Sequence, residues 1–189
     1  MASPPGLEPH LEEPSSPNLE SVAPFGIRTF GDPVLKQRCA EVARIDDALR
    51  RLVDGMIQTM YEAPGVGLAA NQVGVQKRLF VYDIGEGPAV VINPVLSNHS
   101  GEWVHHEGCL SVPELWWDIG RAKEVTLTGT DLDGNDLRID ADELLARVFQ
   151  HEVDHLDGYL LIERINPDEK KEAMRVLRQR ALGLPIEAR

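Results

Sequence analysis

The sequence predicts a single α+β domain in which mixed or antiparallel strands surround a central helix bearing two histidines, with a further helix near the C-terminus. Three observations carry this expectation. Short strand-like runs fill the middle of the 189-residue chain, a helix of apolar spacing precedes them, and two amphipathic helical patterns follow. With 42% hydrophobic residues, a chain of this length can bury one sizeable core.

Residues 1–24 hold six of the thirteen prolines, four glutamates and no Lys or Arg. Such a composition cannot form a core, so this stretch is expected to be a disordered acidic tail. A folded domain is expected over residues 25–183, and a short tail over 184–189. Asp46 can cap a helix whose Leu49, Leu52, Val53, Met56 and Met60 recur at helical spacing until Pro64 and Gly65 stop it. Strands are expected at residues 79–82, 89–92 and 125–130, the last turning through Asp133-Gly134 into 137–139. Asp140 with Glu143 forms a capping-box pattern that opens a helix carrying Leu144, Leu145, Val148, Phe149, His151 and His155. Asn166, Pro167 and Glu169 open the last helix, which runs through Met174, Leu177 and Ala181 and closes at Gly183 and Pro185. No internal repeat is present.

The formal charge of −12 falls to about −8 without the tail's glutamates, so the domain itself is acidic and nucleic acid is not its expected substrate. Two cysteines, Cys39 and Cys109, are too few for a disulfide framework. The first residues lack the charge and apolar run of a signal peptide, and no stretch is long enough to span a bilayer. A cytoplasmic protein without membrane contact is expected.

In His151-Glu152-Val153-Asp154-His155 the two histidines are four residues apart, so on a helix they share a face and can bind one metal ion, with Glu152 beside it. A third ligand must come from elsewhere. A metzincin-like extension fails because Leu161 stands where a third histidine is needed. Glu163, Glu169 and Glu172 are placed for a thermolysin-like arrangement, with Glu169 already assigned to a helix cap. Cys109, in Glu107-Gly108-Cys109-Leu110-Ser111, is the softer and stronger ligand. The remaining segment, GVGLAANQ at 65–72, offers small residues for close approach of a ligand and an amide donor at Gln72.

Taken in order, GVGLAANQ at 65–72, EGCLS at 107–111 and QHEVDHLDG at 150–158 resemble the peptide deformylases, and the general layout agrees over residues 25–165. The resemblance implies hydrolysis of the N-terminal formyl group of formyl-methionyl nascent chains, with release of formate. It implies that Cys109, His151 and His155 bind one divalent metal, with Fe(II) favoured over Zn(II), Ni(II) or Co(II). Glu152 is then the catalytic acid and base, and Gln72 and the Leu110 N–H face the developing oxyanion. The backbone of Val66, Gly67 and Gly108 pairs with an extended peptide. Leu144 and Val148 suit the apolar methionine pocket, near which His105 and Arg147 are less apolar than such a pocket calls for. Two other classes share parts of this pattern. A zinc metallopeptidase has the helix but does not depend on Cys109, and a non-catalytic metal-binding module has no use for Glu152. The last helix, with Arg175, Arg178 and Arg180 toward its end, is a candidate for transient ribosome contact as well as for simple dipole complementarity.

Overall fold

A computed structural model of the chain describes residues 25–183. The two expected tails, 1–24 and 184–189, lie outside the described residues. After a 3-10 turn at Pro33–Lys36 comes α1, Asp47–Glu62, which begins where Asp46 accepts a hydrogen bond from Leu49 N at 2.9 Å. Strand β1, Gly67–Ala69, leads through a 3-10 turn at Ala70–Val73 into β2, Leu79–Tyr82, and β3, Ala89–Ser100. A hairpin follows, β4 at Trp103–Cys109 and β5 at Val112–Arg121. The chain continues through β6, Glu124–Thr130, β7, Asp136–Asp142, α2, Glu143–Leu156, and α3, Pro167–Ala181.

The strands form a five-stranded sheet in the order β1-β2-β3-β6-β7 and the separate β4–β5 hairpin, with every pairing antiparallel. Alternation along β2 explains the layering. Leu79 and Val81 pack with Leu49, Val53, Met56 and Met60 of α1, whereas Phe80 packs with Ala146, Phe149 and Leu156 of α2. The sheet is therefore covered on both faces, which is why β2 is apolar at every buried position rather than alternating. A third cluster seats Ala173 and Leu177 of α3 against Val112 and Ile119 of the hairpin.

Three local expectations change. The cap of α2 is Asp142, not Asp140, and it makes no side-chain cap hydrogen bond. Asp140 lies in β7 opposite Thr126, whose hydroxyl donates to it at 2.7 Å, so the cross-strand partner takes the carboxylate that the capping pattern needs. Strand β3 runs on from Ile92 to Ser100 through two register shifts, because Asn93 at φ 52 spends its side chain on Val42 and lets the chain resume pairing. The β4–β5 hairpin has no counterpart in the strands expected from sequence. The α3 cap is as expected: Asn166 Oδ1 accepts from Asp168 N and Glu169 N, and Glu169 reaches back to Asn166 N at 3.3 Å.

Candidate metal centre and substrate cavity

Helix α2 projects His151 and His155 from one face, and the last residue of β4 brings Cys109 to them. The thiol Sγ lies 3.2 Å from His155 Nε2, which is itself 3.2 Å from His151 Nε2. Bonds of usual length to one tetrahedral ion would set such donors about 3.4–3.6 Å apart, so one thiolate and two imidazoles fit a single cation here. Glu163, Glu169 and Glu172 are elsewhere. Glu163 pairs with Lys36 at 2.7 Å, Glu169 caps α3, and Glu172 pairs with Arg175.

Glu107 fixes the ring of His151. Its Oε1 accepts from His151 Nδ1 at 2.6 Å, which leaves Nε2 directed at the cluster. The same carboxylate takes both Arg121 Nη2 and Nε, at 2.7 and 2.9 Å, and Arg147 Nη1 at 2.5 Å. Burial disfavours the Glu107 charge, but Arg121 and His151 outweigh it and hold its carboxyl well below the usual carboxylate range. Burial also opposes a charged His151, yet its bonds to Cys109 and Glu107 raise its pKa well above the ordinary value. Burial, and then the adjacent His151, drive His155 in the opposite direction.

Glu152 is 3% exposed, and its Oε2 is buried with no hydrogen-bond partner among the described residues. Burial pushes its carboxyl up to about 7. Gly67 makes room for it, since a Cβ there would collide with Glu152 Oε1. Gln72 is buried beside the cluster. Its Oε1 accepts from Ala69 N at 2.9 Å and its Nε2 donates to Ser111 Oγ at 3.1 Å, leaving a second amide N–H.

A cavity of about 470 Å³ opens above these groups. Val66, Gly67 and Gln72 line it from the β1 segment, Gly108, Cys109 and Leu110 from the hairpin, and Leu144, Val148, His151 and Glu152 from α2. His155 is the one expected site residue that does not line it. Over residues 24–171 the chain matches the family model described as polypeptide deformylase.

The chain belongs to the peptide deformylase family.

A peptide deformylase of Thermotoga neapolitana is 44% identical over 166 residues, covering 87% of this chain and 99% of that protein. One from Clostridium botulinum is 49% identical over 138 residues, covering 73% and 94%. Among solved structures, the Ehrlichia chaffeensis peptide deformylase in complex with actinonin superposes with a TM-score of 0.80 at 34% identity, covering 84% of this chain and 98% of that one. The Thermotoga maritima peptide deformylase gives 0.74 at 45% identity, covering 76% and 99%. Membership makes the chain a hydrolase that releases the formyl group from the N-terminus of new polypeptides.

Sequence reasoning misread or missed several residues around this cavity. Arg147 lines the cavity without turning its charge into it. Its guanidinium is turned to Glu107 and to the carbonyls of Trp103 and Ile119, at 2.6 and 2.9 Å. His105 stacks on Trp103 with 4.6 Å between ring centroids. Asn71 carries no signal beyond its place in the GVGLAANQ motif, yet its Nδ2 donates to His155 O at 2.5 Å and ties the segment of Gln72 to α2. Arg121, which grips Glu107, carried no signal; its partner lies fourteen residues away on the other strand of an unforeseen hairpin.

Proposed function

We propose that the chain deformylates formyl-methionyl peptides with one divalent metal ion held by Cys109, His151 and His155, and with Glu152 as the group that moves the proton. The convergence of three donor atoms beside a buried, unpaired carboxylate oxygen carries this reading. A cation bound by such a donor set acidifies water and polarises a carbonyl. Glu152, poised near neutrality, accepts the proton of the attacking water and returns it to the amine nitrogen as the C–N bond breaks, so that formate and a free amine leave. The free N–H of Gln72 and the Leu110 backbone N–H are the donors to the developing oxyanion. β1 is the edge of its sheet and β4 borders the same cavity, so an extended peptide can add a strand beside Val66, Gly67 and Gly108 while Leu144 and Val148 receive its methionine side chain. A thiolate with two imidazoles suits Fe(II), the favoured occupant, and also Zn(II), Ni(II) or Co(II).

Dependence on Cys109 separates this reading from a zinc metallopeptidase, and turnover separates it from a metal-binding module. Formate release from formyl-Met-Ala-Ser should be metal-dependent, lost on chelation, blocked by actinonin, and absent with the acetylated peptide. Cleavage of acetylated or unblocked peptides at internal bonds would favour the peptidase instead. The folded unit is assigned to residues 25–183, and the cytoplasm is its proposed place of work; no helix among the described residues is long and apolar enough to cross a membrane. Transient ribosome contact is assigned to α3. There Arg175 is held by Glu172, Arg180 by Glu114 and the Pro113 carbonyl, and Arg178 is exposed. Replacing the three arginines with Gln should weaken co-sedimentation with ribosomes at low salt; sedimentation unchanged across a salt series removes that role.

A further inference from the structure

Asp83 lies outside the cavity, yet it fastens the rim that leads into β1. On that side the cavity is lined by Ala63, Pro64, Gly65, Val66 and Gly67, the stretch that joins the end of α1 to the strand. Pro64 has no N–H to give, and Ala63 N and Gly65 N donate back into α1, to Thr59 O at 3.1 Å and Met60 O at 2.9 Å. The far end is fastened elsewhere. Asp83, the residue after β2, donates its N–H to Val66 O at 3.0 Å and so adds one rung to the ladder that pairs Gly67 with Tyr82. Its carboxylate reaches the near end, where Tyr61, in the last turn of α1, donates its hydroxyl to Asp83 Oδ2 at 2.6 Å. Residues 61–66 therefore form a strap with both ends held by one residue.

The second oxygen of this carboxylate anchors it to the β2–β3 turn. Asp83 Oδ1 accepts from Gly85 N at 2.7 Å and from Gly87 N at 3.2 Å. The Tyr61 hydroxyl and then the Gly85 N–H hold the Asp83 carboxyl below its ordinary value, so the acceptor is an anion at neutral pH and the Tyr61 bond is charge-assisted. Hydrogen bonding alternates along an antiparallel pair, so the bond at Val66 turns the N–H and C=O of Gly67 away from β2, toward the cavity that Gly67 lines. Gly65, in the middle of the strap, lies against Leu110, whose Cδ1 a Cβ there would meet at 2.9 Å.

We propose that Tyr61 and Asp83 are positioning residues that hold the backbone of Val66 and Gly67 ready for strand addition by the formylated peptide. The inference rests on the strand-addition reading of the cavity and adds the residues that keep its edge in place. Neither Tyr61 nor Asp83 is among the described residues that line the cavity, so their effect passes through the strap. An edge strand fixed in advance leaves little to be ordered when a peptide binds, whereas a loosened strap puts that ordering cost on binding. The loss should therefore fall on KM, and on substrates long enough to pair.

The test compares formyl-Met-Ala-Ser with formyl-methioninamide, which stops at its first residue, on the metal-loaded full-length chain. Tyr61→Phe removes only a hydroxyl from a half-exposed side chain, so metal content and melt should match wild type. It should raise KM for the tripeptide by roughly fivefold, lower kcat by less, and change formyl-methioninamide little. Asp83→Ala should act in the same direction, Asp83→Asn, which keeps an acceptor without the charge, should fall between, and Tyr61→Phe placed on Asp83→Ala should add nothing. Equal losses on both substrates would mark Tyr61 as a support of the whole fold and overturn the proposal. So would an undiminished Tyr61→Phe effect on the Asp83→Ala background, or a wild-type enzyme that handles both substrates alike. Failure to release formate from either substrate would instead overturn the deformylase reading of the cavity, and the strap's role with it.

Discussion

The two faces of the β4–β5 hairpin are made from the same strands, yet they hold charge in opposite ways. On the inner face Glu107 is buried and accepts from two arginines and a histidine, and Arg121 continues the chain of charges to Asp154 at 2.9 Å. On the outer face His106 and Asp118 meet at 3.2 Å in the open. A charge removed from water must be fully hydrogen-bonded, so the inner groups have one arrangement available to them. An exposed pair is partnered equally well by water, which leaves the outer face free to rearrange. The rigid side therefore fixes the ring of His151, and the adaptable side lies beside the cavity.

Breaking the inner face should have the largest effect. Glu107→Gln leaves Arg147 buried without its anion and Arg121 with Asp154 alone, and should cost about 3–5 kcal/mol of stability in denaturant unfolding. It should also weaken metal affinity by roughly 10–100-fold, because His151 loses the partner that orients its ring. An unfolding free energy close to wild type would show that the inner network is not under the constraint described. Gln72→Leu is smaller in stability but strong in rate: it should raise the barrier by roughly 3 kcal/mol, chiefly through kcat. Because Gln72 Oε1 also accepts from Ala69 N, the melt of the same variant must be compared, and an effect confined to KM would remove Gln72 from the oxyanion site. The outer face supplies the smallest effect. Asp118→Asn should change stability by less than about 1 kcal/mol, and a larger loss would mean that this pair is not interchangeable with solvent.

Much of this contrast was hidden in the sequence. His151 and His155 were legible because a helix converts a spacing of four into a shared face, and α1 and α3 were legible because Asp46 and Asn166 are local caps. Cys109 was recognisable through its motif, but its meeting with α2 depends on a hairpin that local patterns conceal. Trp103–Cys109 interrupts its alternation with two histidines and a buried glutamate, so the strand period is obscured. Arg147 looked like a misfit in an apolar pocket because only the tertiary fold shows which way its guanidinium turns. Asp140 misled for a related reason: a carboxylate near a helix start has both local and cross-strand donors, and Thr126 sits closer. Side-chain direction and long-range partnering decided each of these cases.

The central claim is that Cys109, His151 and His155 hold the metal while Glu152 moves the proton, and Glu152→Gln measures it most directly. The amide has nearly the same shape, and Glu152 is not one of the three clustered donors, so the variant should retain one metal per chain and a wild-type melt. Its single-turnover rate on formyl-Met-Ala-Ser should fall by far more than tenfold. A fully metallated variant within about tenfold of wild type, a barrier change of only ~1.4 kcal/mol, would contradict the account.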